Sequence, residues 1–221
     1  MAAPYPTLSQ PGLLFMDMDS TLIQCECIDE IADFMGIKQE ISHITERAMR
    51  GELDFAASLT ERVALLAGLN AEVLNTVYEQ RVRLTDGAET LIAGLHEAGW
   101  KVGLVSGGFD VITERLQARL ALDFTHANTL EIKDGVLTGK VTGAIVDAAC
   151  KRQCLLEQAQ RFGIPMRQTV AIGDGANDLP MLAEAALGIA FHAKPAVQAQ
   201  ADYAIQTGGL AQVLTLLNQG I

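Results

Sequence analysis

Four aspartates in two short motifs carry the chemistry in this chain. Asp17 and Asp19 close the apolar run Leu13-Leu14-Phe15-Met16, while Asp174 and Asp178 lie in Gly173-Asp-Gly-Ala-Asn-Asp178 far downstream. The apolar run reads as a buried strand. Residues two apart on a strand point the same way, so an extended Asp17–Asp19 pair would project from one face with Cα atoms roughly 7 Å apart. Four carboxylates near one point repel one another unless a hard cation neutralises them. Magnesium fits that demand, because it prefers oxygen ligands and is commonly shared between protein carboxylates and a substrate phosphate. Taken singly, each of the four is an ordinary turn acid.

Two other features could serve an anionic substrate. Ser106-Gly107-Gly108 follows a buried strand and precedes a helix, where a hydroxyl and unobstructed N–H groups can grip an oxyanion; a plain N-cap serine would look the same. Lys151 opens a later helix and could bring a compact positive charge to phosphate, although alone it reads as a solvated helix residue. Gly173-x-Gly-x-x resembles the start of a dinucleotide fingerprint, but the third glycine is Asp178 and the opening strand–helix–strand context is missing.

These residues must be positioned by the elements around them. Between about Cys25 and Arg83 the periodicity is helical throughout, with helices expected over Ile28–Met35, Gln39–Met49 stopped by Gly51, Phe55–Leu66 stopped by Gly68, and Ala71–Gln80. From Asp86 the pattern alternates: helix Ala88–Ala98, strand Lys101–Val105, helix Val111–Leu120, a hairpin turning at Asp134-Gly135, helix Lys151–Phe162, strand Thr169–Ile172, helix Leu179–Ala185, strand Leu187–Ala190, strand Tyr203–Ile205 and helix Leu210–Leu217. Alternation of this kind predicts an α/β fold with a mostly parallel sheet whose ligands sit beyond the C-terminal strand ends. All three polar clusters then fall on one sheet edge. Residues 25–83 form an all-helical insertion into a core of residues 1–24 and 84–221. Within it, Arg62 sits beside the apolar stripe of its helix and needs an anionic partner, either a ligand or a salt bridge.

Asp17-Met-Asp19-Ser-Thr21, Ser106-Gly-Gly-Phe-Asp110, Lys151 and Gly173-Asp-Gly-Ala-Asn-Asp178 resemble the four ordered motifs of the haloacid dehalogenase superfamily. Cys25-Glu-Cys-Ile-Asp-Glu30 and Met49-Arg-Gly-Glu-Leu-Asp-Phe55 extend the likeness to its phosphoserine-hydrolysing branch. The resemblance implies a Rossmann-like core with an inserted helical cap and magnesium-dependent hydrolysis of O-phospho-L-serine to serine and phosphate, the last step of serine biosynthesis. It makes Asp17 the nucleophile and Asp19 the general acid/base. Magnesium would be held by the Asp17 and Asp174 carboxylates and the Asp19 carbonyl, with Asp178 supporting through water. Ser106, Gly107 and Lys151 would hold the phosphoryl oxygens, and Asn177 would help to fix that loop. Arg62 would take the substrate carboxylate and Glu26 its amino group, with Met49 and Phe55 as apolar walls. Phosphotransfer to homoserine, hydrolysis of another small phosphomonoester, and a receiver-like switch whose acyl-phosphate persists stay open beside this reading.

Composition narrows the classes. A net charge of −11 argues against nucleic acid or an anionic membrane as partner, since both demand clustered Lys and Arg. No apolar stretch is long enough to cross a bilayer, and the first twelve residues lack a basic signal-peptide start, so a cytoplasmic location is expected. Cys25, Cys27, Cys150 and Cys154 form no CxxC pair and are expected as free thiols; Cys150 and Cys154 share a helix face, but the histidines are scattered along the chain, which disfavours zinc. Oligomeric state is not legible.

Overall fold

A computed structural model of the chain describes residues 5–49 and 52–219. Strand β1 (Leu13–Met16) leads into a tight turn over Met18–Leu22, then into four helices, α1 (Cys27–Met35), α2 (Lys38–Met49), α3 (Phe55–Ala64) and α4 (Glu72–Gln80). The rest alternates as α5 (Ala88–Glu97), β2 (Lys101–Phe109), α6 (Asp110–Leu120), β3 (Phe124–Lys133), β4 (Val136–Thr142), α7 (Ala148–Phe162), β5 (Thr169–Gly173), α8 (Leu179–Glu184), β6 (Leu187–Phe191), α9 (Pro195–Gln198), β7 (Tyr203–Ile205) and α10 (Gln212–Gln219).

Among the described residues the sheet runs β4-β3-β2-β1-β5-β6-β7, parallel except for the β3–β4 hairpin. Strand β1 is central, pairing Leu13 with Lys101 on one side and with Thr169 on the other. Side-chain alternation divides it between two layers: Leu14 and Met16 pack with Leu91 of α5 and Leu116 of α6, Leu13 and Phe15 with Leu155 of α7 and Leu182 of α8. Helices therefore cover both faces, as the near-continuous apolar strands require. The chain reverses its winding at β1, the place where such sheets open a crevice.

Helices α1–α4 build a third apolar cluster around Ile31, Leu59, Val63 and Val77, which closes against Phe109, Leu130 and Leu137 of the β2–β4 region. Two sets of backbone hydrogen bonds attach this helical segment. At its root, Gln24 N–H donates to the Arg83 carbonyl and Thr85 N–H to the Leu22 carbonyl, each at 2.9 Å. Far from that root, Gly68 N–H donates to the Leu137 carbonyl (2.8 Å), Leu137 N–H to Leu69 (2.8 Å) and Ala71 N–H to Gly135 (2.9 Å).

Several expectations need correction. Strand pairing of β1 stops at Met16, and the turn that follows, with Ser20 at φ 54°, takes Asp19 off the strand line. Strand β2 does not stop at Val105 but continues through Ser106-Gly107-Gly108 to Phe109, with a register shift against β3 where those residues bulge. Helix α7 starts at Ala148, because the Asp147 side chain caps it by accepting from Cys150 N–H at 2.8 Å. Lys151 thus lies within the helix, and it is buried rather than solvated. The Asp134-Gly135 hairpin is as expected, both residues having positive φ (51° and 79°). Its first strand also pairs parallel to β2, and α9 was not expected at all. Gly51, the anticipated stop for α2, lies outside the described residues.

Candidate active site

The C-terminal ends of β2, β1 and β5, adjacent in the sheet, meet under α1 and α3 at a cavity of about 130 Å³. Asp17, Asp19, Gly107, Asp174 and Asn177 line it from the sheet side, and Glu26, Phe55 and Arg62 from the helical side. The strand ends pass close beneath it. A Cβ on Gly107 would come within 2.6 Å of the Phe55 ring, and one on Gly108 within 2.7 Å of Asp19 Oδ2. Glycine is needed there for space rather than for an unusual φ.

Ser106, Lys151 and Asp178 are buried behind the lining. Lys151 Nζ donates to Asp17 Oδ1 at 2.8 Å and to Asp178 Oδ1 at 2.7 Å, and Asp178 also accepts from Gly175 N–H at 3.0 Å. One ammonium thereby links all of the polar strand ends except β2. The Ser106 hydroxyl oxygen accepts from Gly108 N–H at 2.8 Å, which folds the bulge back on itself. Asp19 Oδ1 accepts from Cys27 N–H at 2.9 Å, so the first residue of α1 orients it. The Met49 side chain lies outside the described residues.

The pocket is electrically unbalanced. Burial and the Asp178 charge push Asp17 well above the usual carboxylate range, against the pull of Lys151. Burial and Glu26 push Asp19 up to about 7, despite the Cys27 N–H. Burial, Asp178 and Glu26 likewise raise Asp174 to about 7. Burial works against the Lys151 ammonium, but its two carboxylate partners outweigh this and hold its pKa above the ordinary value. Lys151 and Arg62 face four aspartates here, Asp17 and Asp178 buried and Asp19 and Asp174 half-buried, which leaves negative charge uncompensated. Asp17, Asp174 and Asp178 each offer an oxygen, all within 4.8 Å of one another. A hard, oxygen-seeking metal ion fits that donor set.

Arg62 is the other informative group. Its Nε donates to the Ser58 carbonyl at 3.3 Å, one turn back, and it makes no ion pair among the described residues. Burial lowers its pKa, while Asp29, Glu26 and Asp19 act in the opposite direction. The salt-bridge alternative for this guanidinium is therefore not realised, and the side chain faces the pocket. Glu26 sits opposite, accepting from the Ser20 hydroxyl at 2.6 Å.

A model of the haloacid dehalogenase-like hydrolases matches residues 14–183, most of the chain and all of the sheet-edge residues described above. The chain belongs to that family. Haloacid dehalogenase phosphatases are metal-dependent, in keeping with the aspartate group. The phosphoserine phosphatase of Albidiferax ferrireducens is 50% identical over 219 residues, 97% of this chain and 92% of its own length. That of Idiomarina loihiensis is 52% identical, and the match covers 94% of both chains. Among solved structures, a substrate-bound phosphoserine phosphatase complex superposes with a TM-score of 0.89 at 41% identity, over 95% of this chain and 99% of that one.

Ile28, Leu59 and Phe109 of the lining and Asn128 behind it were missed in the sequence. Leu59 and Ile28 line the cavity; Leu59, three residues before Arg62, could have been found from helical spacing. Asn128 carried no signal. Its buried amide donates to the Gly107 carbonyl (2.8 Å) and accepts from Val146 N–H (2.9 Å), bracing the β2 bulge.

The raised carboxylates make stability depend on pH. A carboxyl whose folded pKa exceeds its unfolded value binds its proton more tightly when folded, so the metal-free protein loses stability as pH rises from the ordinary 3.8 through about 7. Thermal melts in chelator should show a midpoint roughly 4–8 °C lower at pH 8 than at pH 5, for a loss of about 2 kcal/mol. A divalent cation should flatten that difference. Equal midpoints in chelator would mean that these groups are not held protonated.

Proposed function

We propose that this chain is a phosphoserine phosphatase, hydrolysing O-phospho-L-serine to serine and phosphate. The observation that carries this reading is one small cavity lined by two sets of groups: an aspartate set backed by Lys151, and the Arg62 and Glu26 side chains from the helical side. A phosphomonoester with a carboxylate and an ammonium group matches both. Residues 25–83 act as the cap that reads the amino-acid part, and residues 1–24 and 84–221 as the catalytic core. The product supplies serine biosynthesis, and the location is cytoplasmic. No described helix is long and apolar enough to cross a membrane.

In this reading the ionised Asp17 carboxylate attacks phosphorus in line. The bond from phosphorus to the serine oxygen breaks as the new one forms, and Asp19, close to half protonated near neutral pH, gives its proton to the departing oxygen. Asp19 then removes a proton from the water that attacks the aspartyl-phosphate, restoring Asp17 and releasing phosphate. Magnesium, held by the Asp17 and Asp174 carboxylates and the Asp19 carbonyl with Asp178 behind them, would supply the positive charge that lets two anions approach. Ser106, Gly107 and Lys151 hold phosphoryl oxygens, Asn177 steadies the loop, and Phe55 with Met49 walls the substrate.

The test is phosphate release from a panel of phosphorylated amino acids and sugars, with magnesium and with chelator. Phosphoserine should be preferred, and chelation should abolish turnover. In Arg62→Ala, KM for phosphoserine should rise about 10- to 100-fold, the cost of one charged contact, with a smaller change in kcat. A KM that moves equally for substrates lacking a carboxylate would remove Arg62 from substrate recognition. Equal rates across the panel would overturn the substrate assignment.

A further inference from the structure

Away from the pocket, β3 and α7 bring a second set of metal-binding side chains together. Cys150 and Cys154 stand one helical turn apart on one face of α7, and His126 of β3 faces them; the ring nitrogen and the two sulfurs all lie within 4.8 Å of one another. Sequence spacing revealed only the cysteine pair. The sheet supplies the third ligand, from a histidine well upstream of both.

We propose that His126, Cys150 and Cys154 form a three-ligand site for a borderline-soft divalent cation, zinc in the first instance, separate from the oxygen site at Asp17, Asp174 and Asp178. Two thiolates and an imidazole are the donor set zinc prefers, and one that magnesium avoids. Zinc–sulfur and zinc–nitrogen bonds of roughly 2.3 and 2.0 Å place tetrahedral ligands about 3.5–3.8 Å apart, so the donors need to close by at most about 1 Å. Exposed His126 and half-buried Cys150 have the freedom to move, while buried Cys154 is the anchor.

Burial raises both thiol pKa values, that of Cys154 to about 12, so the ion has to displace the two thiol protons as it binds; the donor atoms are otherwise free to take it. The His126 ring makes no hydrogen bond or ion pair among the described residues; its recorded partner is the Phe124 ring, 6.4 Å away between centroids. Its nitrogens are thus available. Cys154 packs with Val146 and Leu155, which gives the site an apolar floor, and the exposed imidazole leaves the fourth position to water. A disulfide does not suit the pair, because Cβ atoms one turn apart on a helix are about 5–6 Å apart and a disulfide needs 3.5–4.5 Å.

Cobalt(II) is the probe, since thiolate ligation produces a near-ultraviolet charge-transfer band that carboxylates cannot give. Titrated into the full chain carrying Asp174→Asn, which cripples the oxygen site, cobalt should raise that band to saturation at one equivalent. Zinc should abolish it and excess magnesium should leave it unchanged. Adding Cys150→Ala should remove most of the intensity, and adding His126→Ala should weaken binding at least tenfold; both side chains are accessible enough to replace without opening the core. Absence of the band, or its persistence unchanged in the Cys150→Ala protein, would overturn the proposal. The signal needs no turnover, so it stands or falls apart from the phosphatase reading.

Discussion

Asp17→Asn should release phosphate from phosphoserine at least about 10⁴-fold more slowly than the unaltered chain, while folding normally. The amide has nearly the shape of the carboxylate but cannot attack phosphorus, and loss of a nucleophile that acts as part of a unit costs 10⁴–10⁶ in rate. Folding should survive because burial and Asp178 already disfavour the Asp17 charge, and because Lys151 keeps Asp178 at 2.7 Å. Single-turnover phosphate release alongside circular dichroism checks both halves. Residual activity within 100-fold of the starting rate would place the nucleophile elsewhere.

Lys151→Met should have the largest effect on stability. The ammonium is only 1% exposed and is the shared partner of two buried carboxylates. Removing one member of a buried ionic group typically costs about 3–5 kcal/mol, because the remaining charge is left uncompensated. The loss should be greater at pH 8 than at pH 5, since acid allows Asp17 to take up a proton in place of its lost partner. Urea unfolding at the two pH values measures this, and a divalent cation should restore part of the loss. A change below about 1 kcal/mol at pH 8 would mean that Lys151 does not hold these acids together.

The sequence made the strand-end clusters legible because burial leaves a simple mark: an apolar run that ends suddenly, twice in acids and once in Ser106-Gly107-Gly108, on what must be one sheet edge. It also made the hairpin and the four inserted helices legible through turn chemistry and period. What stayed hidden depended on contacts between distant segments. Lys151 looks like a surface lysine until α7 is placed behind β1. Asn128 is an unremarked polar residue until its amide is seen bridging Gly107 and Val146. Strand β2 ran longer than expected because pairing with β3 resumes past the glycines, at Phe109 and Asn128, which local propensity cannot reveal. Arg62 and Glu26 alone left the substrate class open; the motif likeness of Cys25-Glu-Cys-Ile-Asp-Glu30 and Met49-Arg-Gly-Glu-Leu-Asp-Phe55 carried it.

The two sets of backbone hydrogen bonds that moor α1–α4 restrict how a substrate can reach the cavity. Tied at residues 24 and 83 and again at the hairpin through 68, 69 and 71, the helices are fixed at two well-separated places rather than one. A rigid body held at two separated places keeps one easy rotation, about the line that joins them. Rotation about that line would leave the end of α3, seated against β4, nearly in place, so that any displacement of this helix would fall on its start, where Phe55 lies over Gly107.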